Sequence, residues 1–167
     1  MNTSPNSRNG AKAETSAVKA VETVIAEHPF LHGLKPEHLR LLADNAMRMH
    51  YDTGQLIFCE GDPANRFYLI EHGRVALESH RQDEPPVQIQ TIEPADVLGW
   101  SWLFPPYYWH FDARALEPTT AIFFYGTRLR EQSEADHDLG YELMKRMTAV
   151  VIQRLQATRK ELLAASV

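Results

Sequence analysis

Large apolar side chains are almost absent from Met1 to Ser16. Such a stretch cannot repay the entropy of being ordered, so residues 1–16 read as a disordered arm. Hydrophobic periodicity begins after Ala17, with Val21, Val24 and Ile25 on one helical face and a stop at His28-Pro29, where the residue before proline is pushed out of the α region. A second helix is predicted from Pro36, which suits a first helical turn, through Leu39, Leu42 and Ala46 to about Met49. Beyond it the texture turns to short apolar runs separated by turn residues: Gln55 to Cys59, Phe67 to Ile70, Val75 to Leu77, Ala113 to Leu116 and Ala121 to Tyr125. Ser79 to Pro86 reads as a hairpin loop. Val87-Gln88-Ile89-Gln90-Thr91 alternates as a strand with one buried face.

Helical spacing returns near the C-terminus, where Ser133 is the expected N-cap of one long helix over about 134–164. Met144, Thr148, Val151, Leu155, Thr158 and Leu162 recur at alternating intervals of four and three, the seam of a coiled coil interrupted by two threonines. Such a stripe either docks on its own domain or pairs two chains. Leu143, Met147, Val150 and Ile152 add a second apolar strip, so one helix can do both. The expected homodimer interface is Met144, Val151, Leu155 and Leu162.

Composition narrows the function classes. A net charge of -5 argues against general affinity for nucleic acid or anionic membranes, and no nucleic-acid partner is expected through this chain alone. One cysteine, Cys59, allows no internal disulfide, and no apolar run reaches the roughly 20 residues of a membrane span. The expectation is a cytoplasmic protein.

Three glycine-bearing segments carry a resemblance. Gly54-Gln55-Leu56-Ile57-Phe58-Cys59-Glu60-Gly61-Asp62, Phe67-Tyr68-Leu69-Ile70-Glu71-His72-Gly73-Arg74-Val75 and Ala95-Asp96-Val97-Leu98-Gly99 stand in order and at the spacing of the cyclic nucleotide-binding domain family. The chain resembles the sensor half of the bacterial catabolite activator and anaerobic regulator type over roughly Val21 to Leu163. The resemblance implies an α+β domain, residues 17–167. A jelly-roll-like antiparallel β-barrel over about 50–126 would be flanked by N-terminal helices and a long C-terminal dimerisation helix.

It also implies a ligand cassette, and here the chain departs from the family. In the family, the cassette glycine is followed by a Glu and, after a short helix, by an Arg that holds the cyclic phosphate, the bidentate cation such an anion wants. This chain reads Gly99-Trp100-Ser101-Trp102-Leu103, with Trp100 in place of Glu. Counting back from Ala113-Arg114-Ala115 puts Trp109 at the arginine position, and counting forward from Gly99 puts His110 there. On the last helix, Arg154-Leu155-Gln156-Ala157-Thr158-Arg159 keeps the base-contacting threonine as Thr158 and replaces the following serine with Arg159.

The candidate ligand-binding residues are therefore Gly99, Trp100, Ser101, Trp109, His110, Thr158 and Arg159. A cyclic nucleotide, bound weakly, or another planar ligand is the candidate small molecule, and no cofactor is fixed by the sequence. The function implied is a non-catalytic ligand-sensing module. The alternative is a dimeric protein-interaction module whose aromatic pocket has collapsed on itself. Metal chemistry lacks the clustered ligands it needs, and His28, His38, His72 and His137 are expected at the surface or in turns. Ser101 lacks a nucleophile elbow and is expected to cap a helix.

Overall fold

The computed structural model describes residues 18–166, so the predicted arm lies outside the described residues. Helix α1 spans Val21–Glu27 and ends where predicted, with His28 extended before Pro29 and its Nδ1 accepting from the Phe30 amide at 3.2 Å. Helix α2, Pro36–Asp44, starts on its proline but stops earlier than expected. Asn45 leaves the helix, its side-chain nitrogen donating to the Leu41 carbonyl, and Ala46–Tyr51 becomes strand β1. Pairing of all six residues with residues 119–124 of the last strand overrides the helical propensity of Ala46, Met47 and Arg48.

The remaining strands are β2 Leu56–Phe58, β3 Arg66–His72, β4 Val75–Ser79, β5 Val87–Ile92, β6 Val97–Leu98, β7 Asp112–Ala115 and β8 Thr119–Tyr125. They form two antiparallel four-stranded sheets, β1-β8-β3-β6 and β2-β7-β4-β5. The roll has the jelly-roll character the family resemblance implies, but its hydrogen-bonded ladders do not close into a barrel. On β5 the inward residues are Gln90 and Ile92 while Val87 is exposed, so polarity alone misjudges which face is buried.

Strands β3 and β8 are apolar on both faces because both faces are covered. Tyr68, Ile70, Ala121 and Phe123 point into the roll, where they meet Phe58, Val75, Leu77, Ile92 and Leu98. Phe67, Leu69, Ile122 and Phe124 point outward to a second core made with the helices. There Phe67 lies 4.9 Å from the Trp102 ring and 4.5 Å from that of Phe124, centroid to centroid.

Gly126–Ala135 forms a separate helix, α3, and α4 runs His137–Ala165. Ser133 is inside α3, its hydroxyl donating to the Leu129 carbonyl, and does not cap. The N-cap is Asp136, which accepts from the amides of Asp138 and Leu139 and meets the Nε2 of buried His38 at 3.0 Å. His38, within α2, is thus buried, contrary to the expectation from sequence, while His28 is in the turn after α1 as expected but also buried. Helix α4 docks through Leu139, Leu143, Met147 and Val150. From Val151 onward none of its residues is fully buried, and Ile152, Leu155, Leu162 and Leu163 are exposed.

Candidate functional site

The segment between β6 and β7 is where sequence and fold converge. Gly99 has φ of 89°, a conformation that glycine adopts without strain. No helix follows it: Trp100 to Leu103 is a turn closed by the Leu103 amide on the Trp100 carbonyl at 3.3 Å, so Ser101 caps nothing. Ser101 is buried, and its hydroxyl has no partner among the described residues. Trp102 drops into the helix-side core, and Arg130 ties the loop down by donating to the Trp102 carbonyl and lying over the Tyr107 ring.

Trp109 enters the roll. Its ring stacks on Phe58 with centroids 3.8 Å apart and planes 9° from parallel. Its backbone is fixed on both sides, the amide donating to the Asp62 carbonyl and the carbonyl accepting from the Gly61 amide. A Cβ placed on Gly99 would come within 2.8 Å of the indole, so the glycine is also a space requirement. His110 points outward and stacks on Trp100, centroids 5.2 Å apart. Arg114 is committed elsewhere, with Nε 3.2 Å from both Glu78 carboxylate oxygens and an Nη donating to the Gly54 carbonyl.

Beside this plug a half-open cleft of about 220 Å³ remains between the β4-β5 side of the roll and α4. It brings together Trp100, Phe111 and Thr158 with Gln90 and Arg154, under a rim of Val151 and Leu155. Gln90 donates to the Arg154 carbonyl at 3.0 Å and to the Thr158 hydroxyl at 3.3 Å, joining sheet to helix. Arg154 donates to the Val97 carbonyl at 2.8 Å; burial draws its pKa down, with the Asp96 carboxylate pulling the other way. A guanidinium remains a cation under such a shift.

Of the residues expected at the site, Trp100 and Thr158 therefore meet at one cleft. Trp109 lies in the adjoining core, Gly99 beneath it, Ser101 in the interior, and His110 and Arg159 outside the lining. Sequence motifs do not single out Gln90 or Arg154 for the site, whereas Phe111 belongs to the aromatic run that follows Gly99. Arg154 stood in the quoted helical motif one turn before Thr158, which was the available signal.

Next to the site, Asp112 is buried at the start of β7. One of its oxygens accepts from the Glu60 amide at 2.7 Å and the other meets His80 Nε2 at 2.5 Å. Burial raises the pKa of this carboxyl, but the bonds from Glu60 and His80 outweigh it and leave the net shift downward. The same contact raises the pKa of His80. Among the described residues, no group of three His, Cys, Asp or Glu side chains is placed to hold a metal, and no helix is long and apolar enough to cross a membrane.

Comparison with known proteins gives a coherent picture. The description of the cyclic nucleotide-binding domain matches residues 48–136. An acetyltransferase, Pat, from Mycolicibacterium smegmatis is 36% identical over 87 residues, which are 52% of this chain and 25% of that protein. A CRP-like cAMP-activated global transcriptional regulator from Mycobacterium tuberculosis is 22% identical over 142 residues, 85% of this chain and 62% of that protein. The chain thus spans less than two thirds of either curated relative. The crystal structure of a putative cyclic nucleotide-binding protein from Geobacter metallireducens superposes with a TM-score of 0.74 at 30% identity, covering 82% of this chain and 99% of that one.

Proposed function

The chain belongs to the cyclic nucleotide-binding domain family, and from that premise we propose that it is a non-catalytic regulatory module with an aromatic, weakly nucleotide-binding site, working in the cytoplasm. The observation that carries this reading is the Trp109 ring packed between Phe58 and Gly99. By the family resemblance, that stretch should supply the cation for a cyclic phosphate, and an indole supplies none. What remains is a cleft of about 220 Å³, smaller than the roughly 300–1,000 Å³ of ordinary small-molecule pockets. It offers ring faces from Trp100 and Phe111 and polar atoms from Gln90, Arg154 and Thr158, a set suited to a planar group held by stacking.

Titration with cyclic AMP and cyclic GMP, followed through the indole N–H resonances, tests this. Trp100 should shift progressively without saturating at micromolar ligand, while Trp102, in the other core, stays fixed. Shifts that leave Trp100 unmoved overturn the reading and favour the second one: a protein-interaction module whose pocket has closed around Trp109.

Either reading uses a homodimer. Leu155 and Leu162 on α4 are 64% and 67% exposed, and Met144 continues the same seam toward the N-terminus of the helix. Val151 and Leu155 also rim the cleft, so a second copy packed on α4 would lie against the ligand site.

A further inference from the structure

A second cleft, of about 590 Å³, lies on the outer face of the β1-β8-β3-β6 sheet and shares no lining residue with the one beside Thr158. Its size is within the range of small-molecule sites. Helix α1 and the turn after it, from Val24 to Pro29, form one wall; Thr120 is in the floor; Pro94 and Ala95 form the opposite rim. His50 and His72 are both cross-strand neighbours of Thr120, so two imidazoles flank one hydroxyl along the floor. His50 Nδ1 is 3.0 Å from the Thr120 hydroxyl, which leaves its other ring nitrogen for a ligand.

Charge in this cleft is already compensated from within. Arg48 donates to both carboxylate oxygens of Glu71 at 2.7 and 2.9 Å and to the Lys19 carbonyl, while the Lys19 ammonium meets Glu27 at 2.5 Å. A charged ligand would have to break one of these pairs or sit without a counter-ion, and unpaired buried charge is costly. A neutral molecule meets neither penalty. The rim is also conformationally marked: Ala95 has φ of 71°, held there by its amide on the Ile70 carbonyl and by the Ile70 amide on the Asp96 carbonyl, both at 3.2 Å. Non-glycine residues in that region tend to cluster at ligand clamps.

We propose that this cleft is a second small-molecule site, built for a neutral, largely apolar molecule bearing one hydroxyl or carbonyl group that pairs with His50 or His72. The contrast with the first cleft, which presents Arg154, predicts different charge preferences in the two clefts.

The test uses a matched pair of probes, 2-naphthol and naphthalene-2-sulfonate, titrated into the full chain and followed by methyl NMR. The neutral ring should give saturable shifts at Val24 and Ala95, which face each other across the cleft, and intermolecular NOEs to their methyl groups, with the sulfonate binding at least about tenfold more weakly. Val24→Trp should abolish the Ala95 shift by filling the cleft. Pro94→Trp fills it from the opposite rim and serves if the first variant disturbs α1. The proposal is overturned if the sulfonate binds as tightly, if shifts are confined to Ile89 and Val151 of the first cleft, or if no saturable shift occurs up to the solubility of 2-naphthol. Nucleotide binding beside Thr158 has no bearing on these outcomes.

Discussion

The Trp109 indole lies so close to the α-carbon of Gly99 that a Cβ there would stand 2.8 Å from Cζ3 and Cη2 of the ring. Two demands therefore meet at Gly99, since its φ of 89° already disfavours any side chain. Gly99→Ala should lower stability through both strain and collision. Trp109→Ala should cost about 3–5 kcal/mol as a large buried side chain. Because the second substitution removes the collision created by the first, the double variant should be more stable than the sum predicts, by about 0.5–3 kcal/mol. Urea unfolding of the three variants measures this coupling, and additivity within about 0.5 kcal/mol would contradict the packing described.

The His80–Asp112 contact makes a statement about pH. His80 has a raised pKa in the folded chain, so its contribution is complete below the unfolded value of about 6.5 and is lost as pH rises through the folded value. Asp112 has a lowered pKa, so its contribution is complete above about 4 and is lost as pH falls through the folded value. Both contributions are complete between about pH 4 and 6.5. NMR titration of the His80 imidazole should give a pKa above that of a free histidine, and Asp112→Asn should bring it back down. An unchanged His80 titration in the variant would remove the carboxylate as its cause.

Much of the scaffold was legible in the sequence, for reasons that were local. Pro29 and Pro36 fixed the boundaries of the first two helices, and glycines at Gly54, Gly61 and Gly73 marked turns with positive φ. What escaped was decided by distant partners. Ala46 to Met49 carries helical residues and becomes a strand because β8 pairs with it. Ser133 looks like a cap, yet Asp136 has the carboxylate that reaches the free amides. The site divided in the same way. Trp100 and Thr158 are legible from motif positions, whereas Gln90 joins the cleft through the contact of β5 with α4, which no local pattern announces.

Dimerisation should depend on the outer half of α4. Leu155 and Leu162 are exposed in the isolated chain, and apolar side chains at four-three spacing gain by packing against a second copy. Val151→Glu combined with Leu155→Glu should give a monomer by light scattering. An unmodified chain that is monomeric at tens of micromolar, about the concentration of ordinary assays for weak complexes, contradicts the interface.

Calorimetry with cyclic AMP and cyclic GMP at neutral pH reaches the central claim most directly. A missing charge-assisted contact to phosphate costs roughly 1.5–3 kcal/mol, a loss of about 10-fold to more than 100-fold in affinity. Stacking on Trp100 returns about 1–3 kcal/mol, by analogy with base stacking in single-strand binders. The predicted result is weak binding, with no saturation at micromolar ligand. Submicromolar, saturable binding of either nucleotide would contradict it, and would mean that Arg154 or backbone amides hold the phosphate despite the Trp109 plug.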